Sequence, residues 1–402
     1  MTNYIDRLVA ELCPDGVEYR PLGEIADIGT GKSDKKDAQE SGQYPFYVRS
    51  KTILRSSKYL YDETAIVIPG EGGVGEIFHF VSGKYDLHQR AYRVSFTVDE
   101  MNPKFGYYYI SSFFKEYINR HAVEATVKSI RKPMLVKFEV PVPPLEIQEA
   151  IVEILDKFTN LEAELEAELE ARTLQYEYYR GSLFGTLKDP ATGLPAIAGL
   201  VKTLCPDGVE YRSLKDVVAK NYGGGTPSKS KAEYWEGNIP WASVGDLSDD
   251  VLEVTDTRSK ITEEGVKGSS TNIVPAGAVI VAIKINPGRM KIAGMNLAIN
   301  QDIRGLVLND SMNARFLTYY FRTLMFAGHG TIVKSITNKH LMETKIPVPP
   351  MEIQQRIVDI LDRFDALTSS LSEGLPAELA ARRSQYEYYR DQLLTFPRKG
   401  GN

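Results

Sequence analysis

Cysteine is almost absent from this chain, since only Cys13 and Cys205 occur among 402 residues. A disulfide framework is therefore not indicated, and we expect a cytoplasmic protein. The five histidines are scattered, so zinc binding lacks close ligands and both cysteines are interpreted as small buried hydrophobic residues. Long apolar runs are lacking too. The run "AGAVIVAI" (276–283) is too short to span a bilayer, and the first residues contain no signal-peptide core.

Complete enzyme motifs are also missing. The segment "GTGKS" (29–33) is similar to a phosphate-binding loop, but Ala26 stands where that loop requires its first glycine. The segment "NPKF" (102–105) is similar to the Asn-Pro-Pro-Tyr/Phe element of amino-methyltransferases, but Lys104 replaces the second proline. No glycine-rich cofactor loop follows a strand. We therefore expect no catalytic, cofactor-binding or metal-binding residues in this chain.

The most informative feature of the sequence is an internal duplication of about 200 residues. The matching segments differ in their offsets, so a preserved frame alternates with inserts that have diverged in length. Three segments recur, at offsets of 192, 206 and 210 residues: "LCPDGVEYR" (12–20 and 204–212), "VPVPPLEIQEAIVEILDKF" with "IPVPPMEIQQRIVDILDRF" (140–158 and 346–364), and "QYEYYR" (175–180 and 385–390).

The two inserts are rich in glycine, aromatic residues and short β-branched runs such as "TAIVIPG" and "GAVIVAI". This composition predicts mixed strands with a few helices. The segments "NPKFGYYYISSFFKEYINRH" and "NARFLTYYFRTLMFAG" predict one helix late in each insert. The proline-rich "PVPP" then ends each insert just before a long helix.

Each long helix carries the hydrophobic spacing 4-3-4-3-4, which is typical of a coiled-coil seam. Two such seams in one chain bury each other best, and a pseudo-two-fold relation makes the helices antiparallel. The second helix has one additional tetrad, but Gly374 and Pro376 are expected to kink or interrupt it. The seam residues are Ile147, Ile151, Ile154, Phe158, Leu161 and Leu165 in the first helix and Ile353, Ile357, Ile360, Phe364, Leu367 and Leu371 in the second.

The net charge of −5 is unevenly distributed along the chain. Counted from the sequence, residues 145–180 carry ten acids and three bases, whereas the inserts 17–144 and 209–350 have net charges of +2 and +3. The acidity therefore lies on the helices, and the inserts are compatible with a polyanionic partner. Their basic clusters mix lysine and arginine with serine, asparagine and aromatic residues, which are used on phosphates and base edges.

These features together resemble the DNA-specificity subunit of type I restriction–modification systems, over nearly the whole chain. The second insert carries the typical segments "GGGTPSKSKAEYWEGNIPWASVGDL" (223–247) and "AINQDIRGL" (298–306), and "IPVPPMEIQQRIVDILDRFDAL" (346–367) with "QYEYYR" resembles the helical conserved region. The first insert departs from the pattern, because "GTGKSDKK" and "GQYPFYVRS" replace the Thr-Pro and Trp segments.

The resemblance implies an α+β chain with two mixed α/β target recognition domains in a pseudo-two-fold tandem repeat, separated by two long helices that form an antiparallel coiled coil. It also implies that the chain catalyses nothing and recognises a bipartite, asymmetric DNA site. The expected segments are an N-terminal part of the helical frame (1–16), target recognition domain 1 (17–144), conserved helical region 1 (145–181), a linker (182–208), target recognition domain 2 (209–350), conserved helical region 2 (351–391) and a C-terminal tail (392–402).

The implied partners are double-stranded DNA, two methyltransferase subunits that hold S-adenosylmethionine and modify adenine, and restriction (translocase) subunits. We expect DNA contacts from basic and polar side chains on loops. The strongest candidates are the pairs Lys128/Lys334, Ser129/Ser335 and Gln89/Gln301, because these residues are identical in the two inserts although the surrounding sequence has diverged. The candidates are Lys32, Lys35, Lys36, Arg49, Lys51, Arg55, His88, Gln89, Arg90, Lys128, Ser129 and Arg131 in the first domain, and Thr226, Ser228, Lys229, Lys231, Ser243, Lys284, Asn286, Arg289, Asn300, Gln301, Lys334 and Ser335 in the second.

Two other interpretations remain at the level of sequence. In the first, the chain is the recognition part of a DNA methyltransferase enzyme, although the duplication leaves no room for a cofactor domain. In the second, it is a coiled-coil scaffold that never touches DNA. For each candidate pair, a structural role in a turn or a buried amide competes with DNA contact. Trp235 and Trp241 are expected to lie in the core, and "QYEYYR" is expected to pack the frame or dock a methyltransferase subunit.

Overall fold

The computed structural model describes residues 2–120, 129–249, 251–326, 335–369 and 374–400. Its contacts divide the chain into two compact units that do not follow the two copies of the repeat. Unit 1 combines Met1–Glu164 with Ala381–Asn402, and unit 2 is Leu165–Ala380. Each unit therefore takes part of its helical frame from the other copy. Within the described ranges, no helix is both long and apolar enough to cross a membrane.

The helices include both frame segments that the repeat predicts. Helix α5 is continuous over 42 residues, which corresponds to about 63 Å at 1.5 Å per residue. The helices are α1 (Thr2–Leu12), α2 (Leu22–Ile25), α3 (Pro103–Arg120), α4 (Lys132–Val136), α5 (Leu145–Thr186), α6 (Pro195–Leu204), α7 (Glu263–Lys267), α8 (Ala314–Phe321), α9 (Asn338–Glu343), α10 (Met351–Ser369) and α11 (Leu375–Leu393).

The second conserved helical region is two helices, α10 and α11, rather than one rod. Helix α11 begins at Leu375, between Gly374 and Pro376, as the sequence predicts for this break. Proline lacks an N–H and fits only the first turn of a helix, so the break coincides with a new helix start. The seam residue Leu371 falls in 370–373, outside the described residues.

Unit 1 contains a six-stranded sheet in the order β2-β7-β5-β6-β3-β4 and a separate pair of β1 with β8. Neighbouring strands are antiparallel except β3 and β6, which run parallel with Tyr47 beside Leu87. The predicted strand "TAIVIPG" (64–70) lies in β5 except for its last residue, Gly70. The strands are β1 (Tyr19–Pro21), β2 (Ala26–Thr30), β3 (Tyr44–Tyr47), β4 (Leu54–Ser56), β5 (Tyr61–Pro69), β6 (His79–Leu87), β7 (Ala91–Phe96) and β8 (Glu139–Pro141).

Unit 2 has a five-stranded sheet, β10-β18-β15-β16-β12, a four-stranded sheet, β13-β11-β17-β14, and the pair β9 with β19. Strands β11 and β17 are parallel, with Ala242 beside Ile299, and correspond to β3 and β6. The strands are β9 (Tyr211–Ser213), β10 (Val218–Gly223), β11 (Ile239–Ala242), β12 (Glu253–Val254), β13 (Ser259–Ile261), β14 (Ile273–Val274), β15 (Val279–Ala282), β16 (Met290–Ala293), β17 (Leu297–Ile299), β18 (Ile303–Leu308) and β19 (Lys345–Pro347).

The late helix of each insert starts with an asparagine cap. The Asn102 side-chain oxygen accepts from the Lys104 N–H at 2.9 Å, and that of Asn313 accepts from the Arg315 N–H at 2.8 Å. Such caps satisfy N–H groups that have no partner within the helix. Pro103 fits the first helical turn. The segment "NPKF" is thus a helix start in this fold.

The same two polar contacts fix the frame helix to the late helix in both units. Asp156 accepts hydrogen bonds from the Tyr108 hydroxyl at 2.6 Å and the Lys104 ammonium at 2.7 Å. In unit 2 the Asp362 carboxylate accepts from the Tyr319 hydroxyl at 2.6 Å and faces Arg315. Burial raises the pKa of both tyrosines well above its ordinary value. These hydroxyls therefore remain protonated donors.

A buried glutamine makes a second repeated contact. Gln148 accepts from the Asn102 N–H at 2.8 Å and donates to the carbonyl oxygens of Glu100 and Pro143, at 2.7 and 2.6 Å. Gln354 makes the same three contacts in unit 2, with Asn313, Ser311 and Pro349. Both glutamines are fully buried. The repeated "EIQ" of the two frame helices therefore satisfies backbone groups that would otherwise be unpaired.

The predicted coiled-coil seam is only partly correct. Ile147 and Ile151 are fully buried in the same cluster as Phe105 and Phe114 of their own insert. Ile353 and Ile357 are buried in the equivalent cluster of unit 2. Apolar spacing defines which face of a helix is buried but leaves its partner open. The first turns of each seam thus pack on the globular part of the unit.

Helix–helix contact in unit 1 includes Phe158. Its ring lies 5.8 Å from that of Tyr389 and 6.3 Å from that of Tyr386, and Glu162 pairs with Arg383 at 2.6 Å. The partner numbers fall as those of α5 rise, so α5 and α11 run antiparallel there, as predicted. In unit 2, Phe364 contacts Tyr179 and Tyr176, with ring centroids 5.2 and 6.5 Å apart. The repeat thus makes one contact twice, with the two copies exchanged.

Candidate nucleic-acid interface

The connection between β6 and β7, residues 88–90, is the centre of a loop cluster in unit 1. The His88 N–H donates to the Tyr47 carbonyl at 3.0 Å, the Gln89 N–H to Ser33 at 2.9 Å, and the Gly70 N–H to Arg90 at 2.9 Å. Ile130 donates in turn to the Gly70 carbonyl at 2.8 Å. Segments distant in sequence therefore meet in what we call loop cluster 1, residues 31–36, 47–51, 70–73, 88–90 and 129–131.

Unit 2 repeats this arrangement around the connection between β17 and β18. The Asn300 N–H donates to the Ala242 carbonyl at 3.0 Å, and Ile283 donates to Asp302 at 2.8 Å. Gly225 bonds Ile299, and Ile336 bonds Ile283, both at 2.9 Å. We call this loop cluster 2, residues 223–231, 242–243, 283–289, 300–302 and 335–337. The hydrogen bonds align the two clusters residue by residue, although their sequences share few letters.

Glycine makes the close approach of the first loop possible in both clusters. A Cβ on Gly31 would lie 1.8 Å from the Leu87 carbonyl oxygen, and one on Gly224 would lie 1.7 Å from that of Asn300. No side chain fits at such distances. In unit 1 the buried Asp86 also accepts from the hydroxyls of Ser33, at 2.8 Å, and Ser56, at 3.0 Å. The segment "GTGKS", which is similar to a phosphate-binding loop, is thus the end of β2 and the start of a loop that packs against the end of β6.

Gln89 and Gln301, the best-preserved candidate pair, occupy equivalent exposed positions. The Gln89 amide nitrogen donates to Asp34 at 3.2 Å, and the Thr226 hydroxyl donates to the Gln301 amide oxygen. Asp34 and Thr226 are themselves equivalent, at the offset of 192. Gln301 also donates from its amide nitrogen to the Asp302 carboxylate at 3.4 Å. Both amides keep further donor and acceptor capacity for a base edge.

The charges beside these glutamines are reversed between the clusters. In unit 1, Arg90 pairs with Glu71 at 2.9 Å, and Arg49 pairs with the same carboxylate at 3.0 Å. In unit 2 the equivalent pair is Asp302 with Lys284, at 2.8 Å. The Arg90 guanidinium, helped by Arg49, holds the pKa of Glu71 below its ordinary value. One backbone scaffold thus presents two different charge patterns.

His88 and Asn300, which sequence placed among the DNA contacts, are buried, with 2% and 7% of their surface exposed. The His88 Nδ1 accepts from the Arg90 N–H and the Asn300 side-chain oxygen from the Asp302 N–H, both at 3.0 Å. Burial, with Arg49 nearby, lowers the pKa of His88. These contacts correct the expectation: both side chains shape their loop from within.

Other candidates have intramolecular partners. Arg55 donates to the Gly42 and Gln43 carbonyls, each at 3.0 Å. The Lys231 ammonium donates to the Tyr234 hydroxyl at 3.0 Å, and the Ser243 hydroxyl to Asp246 at 2.7 Å. These contacts order the loops and leave the two lysine or arginine side chains exposed at the surface.

The remaining candidates differ in their surroundings. Lys35, Arg49 and His88 line a cavity of about 220 Å³ with Glu71 in unit 1. Asn286 and Arg289 line a different cavity, of about 420 Å³, that also contains Lys291. Lys128 and Lys334 lie outside the described residues, whereas Ser129 and Ser335 are half-buried beside the last contact of each cluster; Lys32, Lys36, Lys51, Arg131, Ser228 and Lys229 are exposed, and Thr226 is half-buried.

Several residues of the clusters were not predicted from sequence. Asp34, Glu71 and Asp302 are acidic, whereas the residue types expected to contact DNA are basic, amide or hydroxyl side chains. The pairing of Lys284 with Asp302, 18 positions apart, gives no local pattern to detect. Trp241 is buried, as expected of a core residue, whereas Trp235 is half-buried and meets it edge-on at 5.0 Å. Cys13 and Cys205, which were expected to be buried, are half-buried and pack against the edge of the core of their unit.

Comparison with known proteins identifies the family. The family model described as type I restriction modification DNA specificity domain matches residues 14–171 and 206–381. The chain is 35% identical to the EcoR124I/EcoR124II specificity subunit of Escherichia coli, over 98% of each chain. This chain belongs to the type I restriction–modification DNA specificity family. Its two family matches correspond to the two copies of the repeat, and the predicted architecture of a specificity subunit is confirmed.

Solved structures agree at the level of fold. The crystal structure of a type I restriction–modification S subunit from M. genitalium covers 94% of this specificity subunit and 96% of its own chain, with a TM-score of 0.57 and 17% identity. A structure concerned with complex assembly and conformational transition of the type I R-M system gives a TM-score of 0.58 at 18% identity, covering 94% and 97% of the two chains. These matches establish that the specificity-subunit fold extends over nearly the whole chain.

Proposed function

We propose that this specificity subunit recognises a bipartite, asymmetric DNA site, with loop cluster 1 reading one half and loop cluster 2 the other. The observation that carries the proposal is the repeated scaffold. The same backbone hydrogen bonds present an exposed glutamine in each unit, while the charges around it are reversed. Because base edges are read by the pattern of donors, acceptors and charges, two such surfaces select different sequences.

The basic side chains around each glutamine supply the sequence-independent part of binding. Lys32, Lys36 and Lys51 are exposed in loop cluster 1, and Lys229 is exposed in loop cluster 2. Contacts of this kind to phosphates fix the position of a protein on the duplex and make binding depend on salt. The glutamines and their neighbours then decide which base pairs are accepted.

The proposed partners are two methyltransferase subunits that hold S-adenosylmethionine and methylate adenine, and restriction subunits that translocate and cleave DNA. A docking role suits the exposed part of "QYEYYR". Tyr178 and Tyr388 occupy equivalent positions in the two copies and are 65% and 60% exposed, whereas Tyr176 is buried. Exposed tyrosines are frequent in protein–protein interfaces because one ring end is apolar and the other polar.

The decisive experiment compares Gln89→Ala with Gln301→Ala in the complex with the methyltransferase subunits. We expect each variant to relax or lose recognition of one half-site only, because a good bidentate amide contact contributes about 1–3 kcal/mol of discrimination. Adenine-methylation sequencing of DNA from cells that carry each complex measures the change. Gln355→Ala, an exposed glutamine on α10, is the matched control and is expected to leave both half-sequences unchanged.

The same material tests the non-catalytic role. Purified chain alone, incubated with labelled S-adenosylmethionine and mixed duplex DNA, is expected to transfer no methyl groups, and activity is expected when the methyltransferase subunits are added. Methylation by the chain alone would identify it as an enzyme instead. A chain that binds no random duplex DNA even at low salt, with or without the methyltransferase subunits, would support the scaffold interpretation.

A further inference from the structure

One residue of loop cluster 2 has a backbone conformation that its side chain disfavours. Ile285 has φ +69° and is the non-glycine residue with positive φ among the described residues. The Asn286 N–H donates to the Lys284 carbonyl at 2.8 Å and closes a three-residue γ-turn around it. Turns of this kind with positive φ are rare, and a β-branched side chain makes them strained.

Loop cluster 1 has glycine at the equivalent position. Gly70 and Ile283 each accept from the late isoleucine of their unit, Ile130 or Ile336, and donate to the third residue of the central loop. Two residues further on stand Gly72, with φ +73°, and Ile285, with φ +69°. The two positions thus share a positive φ, which glycine adopts in unit 1 without strain. Unit 2 keeps a branched side chain where glycine fits.

Packing does not account for this side chain. Ile285 is 62% exposed, and it belongs to none of the hydrophobic clusters found among the described residues. A single exposed isoleucine is ordinary at a protein surface. A strained and exposed isoleucine is different, because this side chain joins no hydrophobic cluster of the described residues and strained backbone of this kind concentrates at functional sites.

The position of Ile285 connects it to the proposed DNA surface. The preceding Lys284 pairs with Asp302 at 2.8 Å, next to Gln301, and forms a β-bridge with Ser335. Ile285 is therefore one residue from two of the segments that make up loop cluster 2. In the major groove, the apolar group that a base pair presents to such a side chain is the C5-methyl group of thymine.

We propose that Ile285 is a specificity-determining residue that contacts a thymine methyl group in the half-site read by unit 2. The inference rests on the proposed function. The γ-turn projects the side chain from the loop, and the equivalent Gly72 leaves unit 1 without this contact. The two half-sites then differ in one further feature, recognition of a methyl group by unit 2 alone.

The test replaces each thymine of the second half-site, on either strand, by deoxyuridine, which lacks only the methyl group. The probe is a synthetic duplex bound by the complex with the methyltransferase subunits. We expect one position at which the wild-type complex binds the deoxyuridine duplex about three- to ten-fold more weakly, the effect of one methyl contact. The Ile285→Gly and Ile285→Ala complexes are expected to bind the two duplexes equally.

Stability separates recognition from a structural role. Ile285→Gly is expected to leave the unfolding temperature of the complex unchanged or to raise it, because glycine adopts positive φ without strain. Val251→Ala, at another exposed aliphatic residue of unit 2, is the matched control and is expected to retain the sensitivity to deoxyuridine. A clear loss of stability in Ile285→Gly with unaltered discrimination would assign the side chain to folding and overturn the inference.

The two proposals fail differently. A wild-type complex that shows no sequence preference would remove the proposed function itself. A wild-type complex that prefers its bipartite site but ignores every thymine-to-deoxyuridine exchange in the second half would overturn only the role of Ile285. A second half-site without an A·T pair would also overturn it.

Discussion

Equivalent residues in the two loop clusters show how a position changes its chemistry while the backbone stays the same. His88 and Asn300 are both buried, and both accept a hydrogen bond from the N–H two residues ahead. The ring nitrogen of one and the amide oxygen of the other are equivalent acceptors. They differ in one respect, because histidine can take up a proton and asparagine cannot. This difference gives unit 1 a sensitivity to pH that unit 2 lacks at this site.

The first prediction concerns this sensitivity. Burial lowers the pKa of His88 in the folded state, below the value of about 6.5 expected when unfolded. Its contribution to stability is therefore complete above pH 6.5 and is lost as the pH falls through the folded pKa. We expect loop cluster 1 to open as the pH is lowered from 7.5 to 5.5, and His88→Asn to reduce this opening. Hydrogen exchange of residues 88–91 at the two pH values measures it.

The reciprocal variant serves as the control. Asn300→His is expected to give residues 300–303 of unit 2 the same response to pH, while His88→Asn leaves them unchanged. His79, whose pKa is also lowered by burial, is present in every variant and contributes an equal background. If the wild-type and His88→Asn proteins opened equally at pH 5.5, His88 would not be the group that titrates.

At the scale of elements, the frame helices are fixed to the inserts by polar contacts as well as by apolar ones. Gln148 and Asp156 lie two turns apart on α5 and both contact the start of α3 or the segment before it. Their counterparts Gln354 and Asp362 do the same for α8. The contacts tie the helix to segments about 50 residues away in sequence. A recognition unit is therefore oriented by its own helix.

The second prediction removes one of these contacts. Gln148→Ala leaves the Asn102 N–H and two carbonyl oxygens without partners in a buried site, which we expect to destabilise unit 1 by about 2–4 kcal/mol. Gln354→Ala is expected to have the same effect on unit 2. Hydrogen exchange around residues 100–105 and 311–316 reports the two units separately. Exchange that rises in both units for either variant would contradict the assignment of each glutamine to its own unit.

The repeated sequence segments predicted the frame helices well, because the contacts of these helices depend on particular side chains. Phe158, Tyr176 and their counterparts persist because each has to fit a particular partner. The loop clusters depend mainly on backbone hydrogen bonds, which constrain side chains weakly. The equivalence of Gly70 with Ile283, and of Gly72 with Ile285, is therefore invisible in the sequence and clear in the structure. For the same reason, the sequence predicted His88 and Asn300 as surface residues that contact DNA, whereas both side chains are buried.

At the scale of the whole molecule, α5 is the element that both units share. Its residues up to Glu164 belong to unit 1 and those from Leu165 onward to unit 2. The leucine tetrads at 161–172 lie at this division, where the side chains of Leu161, Leu165 and Leu169 are half-buried. The addition or removal of one tetrad changes the length of α5 by about 6 Å. It removes no residue of either hydrophobic core, so this segment tolerates a change in length.

The third prediction follows from this position. Insertion or deletion of one Leu-Glu-Ala-Glu tetrad within 161–172 is expected to change the number of base pairs between the two half-sites and to leave both half-sequences unchanged. The rise of B-DNA is about 3.4 Å per base pair, so the change corresponds to one or two base pairs. Adenine-methylation sequencing of cells that carry each variant measures it. An unchanged gap in an active variant would contradict a length-setting role.

Assembly of unit 1 during synthesis is governed by the distant origin of its last helix. Unit 2 is one continuous stretch of chain, whereas the core of unit 1 also includes Leu393, Leu394 and Phe396, packed with Ile5. A ribosome adding about 5–20 residues per second completes unit 2 first. The first insert, although translated earlier, waits through the synthesis of more than 200 further residues for its final packing partners. The recognition units of the nascent chain therefore complete their folding in the reverse of the order in which they are encoded.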